Sequence, residues 1–152
     1  MTGGYALQDN EGESISMLGN DIRVLAGERT SASFSVMSTF TPPGAAPPPH
    51  VHDDEDEGFY VLEGRMRFKC GGDQWVVGPG GFVYLPRGVI HQPAVEGDQP
   101  ARALVITSKA GLDEFFARFA AELERSNAPP SLELLDKVGA PYKLRHFPPG
   151  TI

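Results

Sequence analysis

The chain has 152 residues and a formal net charge of −7, and it is 40% hydrophobic and 22% charged. That length implies one domain that buries its own core without disulfides or a structural metal, so a bound metal would be functional. The acidic balance excludes a protein that tracks a phosphate backbone, and no stretch approaches the ~20 apolar residues of a membrane span, so neither nucleic acid nor membrane is an expected partner.

Residues 1–20 form a polar lead-in that ends in a short strand. The start MTGGYALQDNEGES lacks the basic and apolar runs of a signal peptide, and a cytoplasmic location is expected. From 21 to 108, strand-like runs alternate with turn signals, and this segment is expected to form an all-β sandwich or barrel. The runs are 22–26, 32–40, 58–64, 65–70, 74–78, 82–86, 91–95 and 102–108. Met66, Phe68 and Cys70 alternate with Arg65, Arg67 and Lys69, the period of a half-buried strand. Gly71-Gly72-Asp73 then turns the chain into the next run, a hairpin signal. The 18 glycines and 14 prolines exceed ordinary usage and supply the turns that an all-β sandwich or barrel needs. Cys70, the single cysteine, reads as a small buried residue.

The pattern changes at Gly111. Leu112, Phe115, Phe116, Phe119, Ala120 and Leu123 share one helical face, with Asp113 and Glu114 in the first turn, and Asn127 and Pro129-Pro130 mark the end. A second short helix is expected over 131–136, followed by an extended tail. Residues 109–152 are thus expected to pack a C-terminal helix and tail on the barrel.

Two segments carry the chemistry. GAAPPPHVHDDEDEGFYVLEG (44–64) holds His50, His52 and Glu57, and GGFVYLPRGVIH (80–91) ends on His91. His50 and His52, two apart, share one face of an extended strand, and three preceding prolines discourage helix. Glu57 is five residues beyond His52. The run Asp53–Asp56 can turn the chain so that Glu57 opens the neighbouring strand facing the same interior. Asp53, Asp54, Glu55 and Asp56 themselves read as a solvated turn. Three imidazoles and a carboxylate suit one divalent transition metal, with Ni, Mn, Fe, Co, Cu and Zn all compatible. An isolated His-X-His pair is weak support, and the spacing of the whole set gives it weight. His146 has no partner at ligand spacing and reads as a surface or interface residue. The aromatic residues 59, 60, 68, 75, 82 and 84 supply the core, with inward and outward members unassigned. GPGG (78–81) reads as a turn, because it lacks the lysine of a phosphate loop.

The two segments resemble the motifs of the cupin superfamily, G(X)5HXH(X)3–4E(X)6G and G(X)5PXG(X)2H(X)3N. Gly44, His50, His52, Glu57 and Gly64 match the first; Gly80, Pro86, Gly88 and His91 match the second, with Val95 where Asn is expected. Gly81 and Ile90 are lesser departures near the site. The resemblance implies a double-stranded β-helix, or jelly-roll, barrel with a short C-terminal helical extension and a metal held by His50, His52, Glu57 and His91. Over most of residues 20–150 the chain is similar to quercetin 2,3-dioxygenase-like cupins. That similarity implies a metal-dependent dioxygenase acting on a chelating hydroxy-carbonyl aromatic substrate, with Glu57 as catalytic base. Two alternatives share the same site: an O2-independent isomerase, cyclase or lyase acting on an enolisable substrate, and a non-enzymatic small-molecule-binding cupin. A homodimer is expected, with the apolar face of the 112–123 helix among the surfaces to be buried.

Overall fold

The computed structural model describes residues 3–152. Its strands are β1 (Glu13–Met17), β2 (Asn20–Ala26), β3 (Ser35–Thr41), β4 (His50–His52), β5 (Glu57–Glu63), β6 (Met66–Cys70), β7 (Asp73–Val77), β8 (Phe82–Leu85), β9 (His91–Val95), β10 (Ala101–Thr107) and β11 (Leu144–His146). Helices α1 (Leu112–Ser126) and α2 (Leu132–Gly139) lie between β10 and β11. The strands form two antiparallel sheets, β1-β2-β3-β10-β5-β8 and β11-β4-β9-β6-β7. This is the all-β jelly roll with short C-terminal helices that the motif resemblance implies. Among the described residues no helix is long and apolar enough to cross a membrane.

Both sheets feed one core. In β6 the alternation holds: Met66, Phe68 and Cys70 are buried while Arg67 and Lys69 are only partly covered. Phe68 packs on Phe59 of the opposite sheet with ring centroids 5.1 Å apart. The other aromatic residues divide by the same rule. Tyr60 alternates with Phe59 and faces out, as do Phe82 and Tyr84, whose neighbours Val83 and Leu85 are buried. Trp75 is exposed because β7 is the edge strand of its sheet.

Gly64, at the end of β5, adopts φ +74, and a Cβ there would lie 2.3 Å from the Pro100 carbonyl oxygen. Only glycine combines that backbone conformation with that approach.

Helix α1 is anchored by Asp113. This fully buried carboxylate accepts from the backbone N–H of Glu28 and Arg29 and from the Ser35 hydroxyl, so it stitches the first turn to the barrel as well as complementing the helix dipole. The apolar face behind it buries Leu112, Phe115 and Phe119 within the chain's own core. The helix therefore does not need a second subunit to cover that stripe.

Candidate metal centre

Strand β4 carries His50 and His52 on one face, and β9 delivers His91 directly opposite His50 in the ladder. Glu57 opens β5, but β5 belongs to the six-stranded sheet. The carboxylate thus faces the three imidazoles across the barrel rather than from a neighbouring strand, because the turn at 53–56 carries the chain from one sheet to the other. One ligand atom from each of the four residues lies within 4.8 Å of the others. Glu57 Oε2 is 3.0 Å from His91 Nε2 and 3.5 Å from His52 Nε2.

The opposite edge of each ring is tied off. His50 Nδ1 lies 3.0 Å from the Pro48 carbonyl, His91 Nδ1 3.1 Å from the Val89 carbonyl, and His52 Nδ1 2.7 Å from Glu55 Oε1. A carbonyl or carboxylate oxygen only accepts, so each Nδ1 carries the proton and each Nε2 is left to the centre of the cluster. Fixing the tautomer in this way is what a metal-ligating histidine needs. The donor set, three Nε2 atoms and one carboxylate oxygen, fits a divalent transition metal.

Burial and the neighbouring His91 push His50 down to about 3. Burial also opposes charge on His52, but Glu57 and Glu55 overcome it and raise His52 to about 10. Burial alone would raise Glu57; His52 and His91 instead hold it well below the usual carboxylate range. Glu57 is therefore an anion that holds a proton on the neighbouring His52.

The reading of 53–56 as a solvated turn needs correction. Glu55 is 4% exposed and orients His52. Asp53 forms a two-pronged pair with Arg145 of β11, Asp54 meets Lys109 and Lys143, and Asp56 meets Arg87. Opposite charges thus pin the turn from the C-terminal segment and from the loop before His91. A run of like charges conceals this, since the partners lie far away in sequence.

A cavity of about 600 Å³ opens beside the cluster, with His50, His52 and Glu57 in its wall. The rest of the lining is mainly apolar and includes Phe59, Met66, Val105, Phe115, Phe119 and Leu135. His91 is 1% exposed and lies outside the lining. Val95 also lines the cavity, and its backbone N–H donates to the Ala45 carbonyl at 3.1 Å. The main chain therefore ties this loop without the expected Asn. Gly81 and Ile90 do not line the cavity.

His146 is not a surface residue. Its side chain is 5% exposed, it pairs with His50 in the β11–β4 ladder, and it lines the cavity. Its long separation in sequence from the motif histidines hid this placement. The three-residue β11 gave little strand signal.

Residues 38–107, which span β3 to β10 and all four clustered residues, match the family model described as Cupin domain. These residues are a cupin domain. Quercetin 2,3-dioxygenase of Bacillus subtilis (strain 168) is 32% identical over 89 residues, which is 57% of this chain and 26% of that protein. The chain therefore spans about a quarter of that relative's length. KdgF from a Halomonas species superposes with a TM-score of 0.62 at 18% identity, covering 70% of this chain and 96% of that one. A cupin-superfamily sugar phosphate isomerase from Silicibacter pomeroyi gives a TM-score of 0.55 at 26% identity, covering 60% of each chain. The matched segment thus resembles quercetinase-like cupins, as the motif spacing implies. Helices α1 and α2 and strand β11 lie beyond the matched residues.

Proposed function

We propose that this cupin is a metal-dependent dioxygenase of quercetin 2,3-dioxygenase type, acting on an aromatic substrate that chelates through a hydroxyl and an adjacent carbonyl. One observation carries the reading: four ligand atoms lie within 4.8 Å of one another, and three of the residues that bear them, His50, His52 and Glu57, stand in the wall of a largely apolar cavity of about 600 Å³. The identity with the Bacillus subtilis enzyme supports it. His50, His52, Glu57 and His91 would hold the metal, which supplies a Lewis acid at the chelating oxygens of the substrate.

The chain's own residues do the rest. Glu57, held as an anion inside the barrel, accepts the proton of the substrate hydroxyl. Pro48, Val89 and Glu55 fix the three rings, so no reorganisation is needed as charge develops. The apolar wall built by Phe59, Phe115 and Phe119 receives a flat ring and excludes water. The net reaction is cleavage of the flavonol ring by O2 with release of carbon monoxide.

A second reading keeps the site and dispenses with O2. The identity with a sugar phosphate isomerase favours isomerase or lyase chemistry on an enolisable substrate. One experiment separates them: metal-loaded protein is mixed with flavonols in the absence and then the presence of O2, with O2 uptake and carbon monoxide followed. The dioxygenase consumes O2 and releases carbon monoxide. A fully metallated protein that turns over no flavonol refutes the first reading, and turnover of an enolisable substrate without O2 establishes the second.

A further inference from the structure

The metal-binding reading uses three of the four histidines in the chain. His146, the fourth, sits in the same cavity, its ring centroid 5.9 Å from that of His50 and 6.1 Å from that of Phe115. It is not one of the clustered ligands. Asp136 of α2 holds it twice, since one carboxylate oxygen accepts from the His146 backbone N–H at 2.8 Å and from Nδ1 at 3.0 Å. A carboxylate only accepts, so the proton stays on Nδ1 and Nε2 presents a lone pair. Nε2 has no protein partner. Among the described residues no sealed polar side-chain atom lacks one, so this nitrogen retains access to the space that the residue lines. The result is a fixed hydrogen-bond acceptor beside the cluster, in a wall that is otherwise mainly apolar. Both residues lie outside the stretch matched by the family model.

We propose that His146, oriented by Asp136, is a specificity-determining residue whose Nε2 accepts a hydrogen bond from a hydroxyl of the substrate other than the chelating one. The site then selects polyhydroxylated aromatic ligands over those that share the chelating group but lack the extra hydroxyl. An acceptor in an apolar wall discriminates because a ligand without the hydroxyl strips it of water and returns no bond. This inference rests on the hydroxy-carbonyl substrate class proposed above.

The test is anaerobic titration of metal-loaded protein with two probes, quercetin and 3-hydroxyflavone, which share the chelating pair and differ in their further hydroxyls. The wild type is expected to favour quercetin by about tenfold, the scale of one hydrogen bond. His146→Phe keeps a flat ring against Phe115 and removes the acceptor, and it should bring the ratio close to one with metal content unchanged. His146→Gln, which returns a polar atom at similar reach, should restore most of the preference. Asp136→Ala, at a half-exposed position, frees the ring without touching the cavity and should lower the ratio part-way. A ratio unchanged in both His146→Phe and Asp136→Ala overturns the proposal, as does a wild-type ratio near one. Loss of the metal in His146→Phe overturns it in favour of a ligand role. Wild-type protein that binds metal and neither probe overturns the substrate class itself and this role with it.

Discussion

Loading the cluster with a divalent metal should expel one proton. His50, pushed down to about 3, is neutral throughout the usual working range, and Glu57 is already ionised. His52 is raised to about 10, so the cluster holds one proton between His52 and Glu57 that must leave when Nε2 becomes a ligand. The sign is fixed: protons compete with the metal, so affinity rises with pH. One proton gives about tenfold in Kd per pH unit, or about 1.4 kcal/mol, between roughly pH 6.5 and 9. Titration calorimetry at pH 7 in buffers of different ionisation enthalpy counts the released protons directly. Glu57→Gln removes the carboxylate that does most to hold the proton, so the count should fall below one in that variant. A Kd independent of pH, or a count of zero or two in the wild type, would show that His52 does not hold the proton displaced by the metal.

Further outcomes follow from the same contacts. Glu55→Ala leaves His52 Nδ1 unpaired and should cost about 10- to 100-fold in metal affinity at pH 8, net of the easier deprotonation of His52, as read by chelator competition. Affinity equal to the wild type would show that Glu55 is only a structural anion. Gly64→Ala puts a Cβ 2.3 Å from a backbone oxygen at positive φ and should destabilise by more than ~1 kcal/mol in urea unfolding, without changing metal stoichiometry. The outer face of the six-stranded sheet exposes Tyr60, Phe82, Tyr84 and Ile106, and it offers an apolar surface for a second copy. Light scattering at micromolar concentration should give a dimer, and Phe82→Lys with Tyr84→Lys should give a monomer. A wild type that is wholly monomeric contradicts that assignment.

The sequence discloses the barrel and the four clustered residues because both rest on short-range regularities. The alternation in 65–70 marks an inward face, and the positions of His50, His52, Glu57 and His91 within two spaced motifs mark one site. Long-range pairing is what escapes. Glu55 looks like its charged neighbours, and only the fold turns it inward beneath His52 while Asp53, Asp54 and Asp56 find cations elsewhere in the chain. His146 is separated from His50 by almost a hundred residues and is brought beside it by a three-residue strand too short to show a period. The apolar stripe of α1 is plain in the sequence, but a stripe does not say what covers it. Asp113 decides that by bonding to the 28–29 backbone.

His50, His52, Glu57 and His91 are proposed to hold one metal ion together. Elemental analysis of the purified, reconstituted protein, run beside a folded His50→Ala/His52→Ala variant, decides whether they do. One transition-metal ion per chain is expected in the wild type and none in the variant. A folded wild type that takes up no metal, or a variant that retains it, would rule out a metal held by these four residues.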